Sequence, residues 1–337
     1  MTGCILFLLT GCGKDKVSDY DLGCEDLLGK NYDSAIANFE VAIADGKHEA
    51  EAWRGEGVAY YNLGRYEEAK QALEQAEALA DEKDEALRTD ILSYLAAVLY
   101  RQGDYQGSVS TCDKLLELKK SKEGYFLRGR SNLHLDDYDS AAADFDKAVA
   151  DSKEYDDYLN VYQVYTECDL KADGDEYLER ALDIEGKDKE GRYNRGRIYY
   201  YLEEYDKAKE ELTASYNDGY KQAAVYLGKV YAELGDTTNA RAMYHECLED
   251  EELKAKAYNG IAYCDILDGD YDTALTNIQA GLEAGDEDEK QGLLFNEIIA
   301  YEKKADYASA KEKIAAYLAL YPTDEAAIKE NYFLETR

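Results

Sequence analysis

Over 337 residues, 39 Lys and Arg stand against 73 Asp and Glu, a formal net charge of −34. That sign argues against a nucleic-acid binder, whose affinity comes from clustered cations facing phosphates, and a hydrophobic fraction of 45% is too high for a disordered acidic tail. A single Pro leaves little to interrupt helices, so an all-α fold is predicted, and 33 Tyr against 6 Phe and 1 Trp require an architectural explanation.

At the start of the chain, Ile5 to Leu9 is a short apolar run that gives way to Gly13-Lys14-Asp15-Lys16. It is far below the roughly 20 residues that span a bilayer and reads as a processing segment. Leu9-Thr10-Gly11-Cys12 resembles the lipobox of bacterial lipoproteins. That resemblance implies residues 1–11 as a signal peptide, Cys12 as the acylated mature N-terminus and residues 12–15 as a short tether. It also implies an extracytoplasmic, membrane-anchored lipoprotein at the cell surface or in a periplasm, held by acyl chains that contribute roughly 0.8 kcal/mol per buried CH₂. No Lys or Arg precedes the run, which a start codon placed too late would explain.

Beyond Cys12 the cysteines are Cys24, Cys112, Cys168, Cys247 and Cys264, odd in number, scattered and without a Cys-x-x-Cys pair. A disulfide framework or zinc site needs tighter, paired spacing, so they read as small apolar core residues.

The organising signal is internal repetition. A turn closing on Tyr, with the pattern Gly/Asp-x-Tyr at Tyr66, Tyr105, Tyr138 and Tyr271, recurs at Tyr32, Tyr66, Tyr105, Tyr138, Tyr205, Tyr271 and Tyr307, at intervals of 34, 39, 33, 67, 66 and 36. The two long gaps each hide one further unit, turning near Lys171 and at Gly235-Asp236-Thr237. Three residues after each anchor comes a small side chain, as at Ala35, Ala69 and Ala141, and four further on a bulky one, as at Phe39, Leu73 and Phe145. Another small residue often follows three later, as at Ala42, Ala76 and Ala148. Steps of four and three keep these positions on one helix face. Before the turn, a second helical segment places an aromatic four residues ahead of a Gly, at Trp53/Gly57 and Tyr125/Gly129, with Gly23, Gly196 and Gly228 at corresponding places. Gly inside a helix costs about 1 kcal/mol relative to Ala, so its recurrence implies close approach of a neighbouring helix.

Units such as Ala52-Trp53 … Gly57 … Tyr60 … Gly64-Arg65-Tyr66 … Ala69 … Leu73 … Ala76 resemble the tetratricopeptide repeat (TPR). The resemblance implies an all-α, TPR-like α-solenoid: a right-handed superhelix of about nine helix hairpins across residues 16–324, with residues 325–337 as a C-terminal capping helix. Two departures stand out. The closing Pro occurs only at Pro322, and the unit from Tyr155 to Ile184 has Tyr162 where Gly is expected and Gly174 where Ala is expected, predicting a distorted or wider groove there.

Catalytic and metal motifs do not complete themselves. His245-Glu246-Cys247-Leu248-Glu249 lacks the second His of a zinc-protease helix. Asp169-x-Lys171-x-Asp173-Gly174 carries Lys at a calcium-ligand place and Arg180 where the bidentate Glu belongs. Gly55 and Gly57 lack the third Gly and the strand of a dinucleotide site. No enzyme activity, cofactor or metal is expected, and what remains is surface.

In tetratricopeptide arrays the first helix of each pair lines the concave side. Carried onto this chain, the resemblance implies groove-binding residues Arg54, Tyr61, Tyr100, Arg101, Phe126, Arg130, Tyr193, Arg197, Tyr200, Lys229 and Tyr263, with Val58, Leu133, Tyr201 and Phe295 beside them. Arg and Tyr are the types most enriched at binding hot spots. Two alternatives stay open: these residues engage a partner protein or peptide, or the Arg balance neighbouring acids while most Tyr are packing residues with a wet hydroxyl. Arg128 and Arg195 read as inter-repeat ion pairs. The expected function is a lipid-anchored scaffold for protein–protein interaction, the rival being a solute- or glycan-binding lipoprotein using a Tyr-rich surface.

Overall fold

In the computed structural model the described residues are 17–322 and 324–337. Cys12 and the segment implied as signal peptide and tether lie outside them. The described residues form nineteen α-helices with no strand, the fold class expected from the repeats.

The chain divides into two compact units. The first contains α1 (Asp19–Leu28), α2 (Tyr32–Ala44), α3 (Glu49–Asn62), α4 (Tyr66–Leu79), α5 (Glu85–Arg101), α6 (Tyr105–Leu118), α7 (Lys122–Leu133) and α8 (Tyr138–Ala148). The division falls inside α9 (Tyr155–Glu167), between Tyr162 and Gln163. It thus passes through the unit whose Gly is replaced by Tyr162. The second unit contains α10 (Lys171–Ala181), α11 (Lys189–Tyr201), α12 (Tyr205–Asn217), α13 (Ala223–Glu233), α14 (Thr237–His245), α15 (Lys254–Asp268), α16 (Tyr271–Ala284), α17 (Glu287–Lys303), α18 (Tyr307–Leu320) and α19 (Glu325–Glu335).

Every hairpin turn shares one local device, and five of the nine add a second. The residue two places before the anchor is left-handed in every unit: Gly64, Gly103, Gly235 and Gly269 at φ 71 to 81°, and Lys30, Asp136, Asp169, Glu203 and Ala305 at φ 58 to 63°. This single residue reverses the chain after the first helix. The next residue is the N-cap of the second helix, and at Asp104, Asp137, Asp236, Asp270 and Asp306 its carboxylate accepts from the backbone N–H three residues on.

Packing within a hairpin explains the helical Gly. The bulky residue of the second helix seats on the Gly sixteen residues earlier in the first, and a Cβ added to Gly57 would lie 2.7 Å from Leu73, one on Gly129 2.9 Å from Phe145 and one on Gly228 2.5 Å from Tyr244. Two of these side chains also reach the next hairpin. Phe39 is clamped between Gly23 of α1 and Gly55 of α3, and Tyr244 between Gly228 of α13 and Gly260 of α15. Both rings are at most 1% exposed, and truncating such a side chain typically costs 3–5 kcal/mol.

First helices of successive hairpins also touch one another: α1 with α3, α3 with α5 and α5 with α7 in the first unit, α11 with α13, α13 with α15 and α15 with α17 in the second. Each unit therefore has a layer of first helices, and their small core-side residues leave the other face of that layer to the long polar and aromatic side chains. At the end of the second unit, α19 closes the core over Ile298, Ala310, Ile314 and Tyr317 with Ala327 and Leu334.

Candidate functional site

The cation and aromatic residues singled out from the sequence sit on first helices and fall into one group per unit. In the first unit, Arg54 of α3 is bonded to Asp90 of α5, and its guanidinium carbon lies 5.3 Å from the centroid of Tyr94. Tyr61 meets Tyr94 edge-on at 6.1 Å, and the exposed Arg101 faces the Tyr61 hydroxyl from the end of α5. One hairpin further, the Arg130 guanidinium carbon of α7 lies 3.8 Å from the centroid of Tyr100 of α5. The Tyr100 hydroxyl bonds His134 Nε2 at 2.7 Å, and the His134 ring stacks on Tyr105 at 4.4 Å and 5°. Burial, helped by Arg130, holds the His134 imidazole below its ordinary pKa, so near neutral pH it is uncharged. Phe126 leans on the core ring of Phe145, 5.8 Å away.

In the second unit the group is denser. Tyr193, Arg197, Tyr200 and Tyr201 of α11 converge with Tyr226 and Lys229 of α13. Arg197 Nη1 reaches Asp156 Oδ1 at 2.9 Å and donates to Asn194 Oδ1 at 3.1 Å, and its guanidinium carbon lies 5.4 Å from Tyr193 and 5.7 Å from Tyr226. Lys229 Nζ lies 4.9 Å from the Tyr226 centroid. The Tyr201 and Tyr226 hydroxyls are 3.2 Å apart. Burial alone would push the Tyr226 hydroxyl up, but Lys229 and Arg197 outweigh it and hold it below its ordinary value, while burial pushes Tyr193, Tyr200 and Tyr201 up. Tyr263, half-buried on α15, shares with Tyr200 the field of Glu233.

Not all of the cations are spent internally. Arg54 and Arg197 have carboxylate partners. Arg130 and Lys229 have none among the described residues, and the Nε atoms of Arg130 and Arg197 are buried without a hydrogen-bond partner. Arg128 and Arg195, by contrast, form ion pairs, but chiefly within their own hairpins and not between repeats: Arg128 grips Asp144 of α8 with two bonds of 2.7 Å, Arg195 grips Glu211 of α12 with two bonds of 3.0 Å, and only the 2.6 Å contact of Arg128 with Asp113 of α6 crosses to the neighbouring repeat.

Sequence reasoning missed several members of these groups, above all Tyr226, Tyr94 and His134. The signals were present: Tyr226 precedes Lys229 by three residues, one helical step, and His134 follows Tyr100 by 34, the repeat length itself. The thiols of Cys112, Cys247 and Cys264 are buried and pushed up by that burial to about 12, 11 and 11, which leaves them protonated and inert. Among the described residues no three His, Cys, Asp or Glu converge as a metal site, and no helix is long and apolar enough to cross a membrane.

Comparison with known proteins agrees with this architecture. Two sequence profiles, each described as tetratricopeptide repeat, match residues 27–89 and residues 63–122, 95–157 and 193–249, together more than half of the chain. The chain belongs to the tetratricopeptide-repeat family. It is 28% identical over 134 residues to peptidyl-prolyl cis-trans isomerase FKBP4 of Mus musculus, covering 36% of this chain and 29% of that protein. It is 35% identical over 103 residues to Superkiller protein 3 of Schizosaccharomyces pombe, covering 30% of this chain and 7% of that protein. The chain thus spans less than a third of the length of these relatives. A crystal structure of a tetratricopeptide repeat protein from Parabacteroides merdae superimposes with a TM-score of 0.50 at 13% identity, over 74% of this chain and 98% of that one, and shares the fold.

Proposed function

We propose that this protein is an interaction scaffold that binds another protein or peptide through the exposed side of its first helices and carries no active site of its own. Tetratricopeptide repeats generally bind proteins or peptides, and the observation that carries the reading here is Arg130. In a chain of net charge −34 a guanidinium with no carboxylate partner among the described residues, presented on an aromatic ring, is a group reserved for something outside the fold. Lys229 on Tyr226 repeats the arrangement in the second unit. An Arg over a ring can direct its terminal N–H donors at a carboxylate or backbone carbonyl of a ligand while the ring covers one face. The experiment is a quantitative pull-down of native partners with wild type and with Arg130→Glu combined with Arg197→Glu. Loss of the recovered partners supports the groove, and an unchanged set removes it.

A second reading has its own observation. Tyr193, Tyr200, Tyr201 and Tyr226 form a compact patch, with ring centroids of neighbours 5.4 to 6.3 Å apart, beside Arg197 and its partners Asn194 and Asp156. Such a patch suits a sugar ring, and saturable binding in a soluble-glycan panel that Tyr226→Ala removes would favour it.

Anchoring belongs to the same proposal and rests on Leu9-Thr10-Gly11-Cys12 alone. Acylation of Cys12 would hold the scaffold outside the cytoplasmic membrane. Metabolic labelling with a fatty-acid analogue tests it: label lost on Cys12→Ala supports the anchor, and label that survives contradicts it.

A further inference from the structure

The end of the chain carries a buried conflict. Glu330 of α19 turns its Oε1 inward, where it is shielded from solvent and meets no donor. The group facing it is the carboxylate of Glu302 on α17, whose side chain is only 12% exposed. Two acceptors face each other, and only a shared proton can turn that contact into a hydrogen bond. The nearest cation, Lys303 of α17, is 3.7 Å from Glu302 and mostly exposed, so it offsets the repulsion only in part. Other charged groups of this region are engaged elsewhere: Lys313 of α18 with Glu297 at 2.8 Å, Lys329 of α19 with Glu325 at 3.5 Å, and Asp324 with the Tyr317 hydroxyl at 2.5 Å.

We propose that α19 is a proton-dependent cap, seated on α17 and α18 while Glu330 and Glu302 share a proton and loosened when that proton leaves. The consequence lies underneath, because α19 covers Ile298, Ala310, Ile314 and Tyr317 through Ala327 and Leu334. Loosening it uncovers the apolar face that ends the second unit.

Burial and the Glu302 carboxylate push the Glu330 carboxyl up to about 7 from an ordinary 4.5. The seated state holds the proton more tightly than the released state, so seating is favoured at low pH and weakens as pH rises between these values. Between pH 6 and pH 8 the opening equilibrium should shift by about tenfold.

Hydrogen exchange of the whole chain, corrected for the intrinsic pH dependence, tests this. Wild-type amides of α19 should lose about tenfold in protection from pH 6 to pH 8, and Glu330→Gln, whose amide donates to Glu302 at either pH, should hold its protection. Glu302→Gln supplies the donor from the other side and should behave the same way, which keeps the test intact if one variant folds poorly. Protection that does not change in wild type, or that falls equally in both Gln variants, overturns the proposal.

Discussion

The Arg130 guanidinium carbon stands 3.8 Å from the centre of the Tyr100 ring, joining α7 to α5 across two hairpins. A contact this close, partly shielded from water, is worth about 0.5–2 kcal/mol. A double-mutant cycle with Arg130→Met and Tyr100→Leu, followed by urea unfolding, should return a coupling in that range. Additive losses would show that the ring and the cation are merely neighbours.

The turns make a prediction about the backbone. Gly64 is left-handed with no atom within 4 Å of where a Cβ would stand, so Gly64→Ala should lose about 1 kcal/mol from strain alone. Ala305 occupies the same place at φ 63°, and Ala305→Gly should gain about 0.5–1 kcal/mol. Chemical denaturation of both variants checks the opposite signs.

Gly260 is required for a different reason. A methyl there would overlap the Tyr244 ring more severely than one on Gly228, which would lie 2.5 Å away. Gly260→Ala should destabilise by about 1–3 kcal/mol. A smaller side chain at the facing position should restore part of the loss, so Tyr244→Leu should cost less in the Gly260→Ala background than in wild type. Equal costs in the two backgrounds would contradict the clamp.

Glu56 of α3 is 6% exposed, its Oε2 has no partner, and burial pushes its carboxyl up to about 7. The folded state then holds a proton that the unfolded state has released, so stability should fall as pH rises from about 4.5 to about 7 and level off above. Glu56→Gln should remove this part of the slope and gain roughly 1–3 kcal/mol at pH 8. Stability curves from pH 5 to 8 for the two proteins decide it, and parallel curves would contradict the assignment.

The hairpins were legible because their signals are local. The left-handed residue, the Asp cap and the small–bulky spacing all fall within a few residues of each anchor, and their recurrence identifies them. What stayed hidden depends on which residues meet across hairpins. Nothing local marks Gly55 as a seat of Phe39 or Gly260 as a seat of Tyr244, because each ring comes from the preceding hairpin. The cation stripe was visible as a pattern, but the sequence could not separate Arg54 and Arg197, which meet Asp90 and Asp156, from Arg130 and Lys229, which sit over rings with no carboxylate partner among the described residues. Those acids are 36 residues after Arg54 and 41 before Arg197, so no fixed offset announces them.

Site-specific photo-crosslinking in living cells addresses the binding surface most directly. A photoreactive phenylalanine would replace Phe126 or Tyr193, on first helices, and in a control Tyr138, which is 49% exposed at the start of a second helix. The scaffold account predicts discrete protein adducts from positions 126 and 193 that disappear with Arg130→Glu and Arg197→Glu, and none from position 138. Adducts from position 138 alone, or adducts at 126 and 193 that survive both charge reversals, would contradict it.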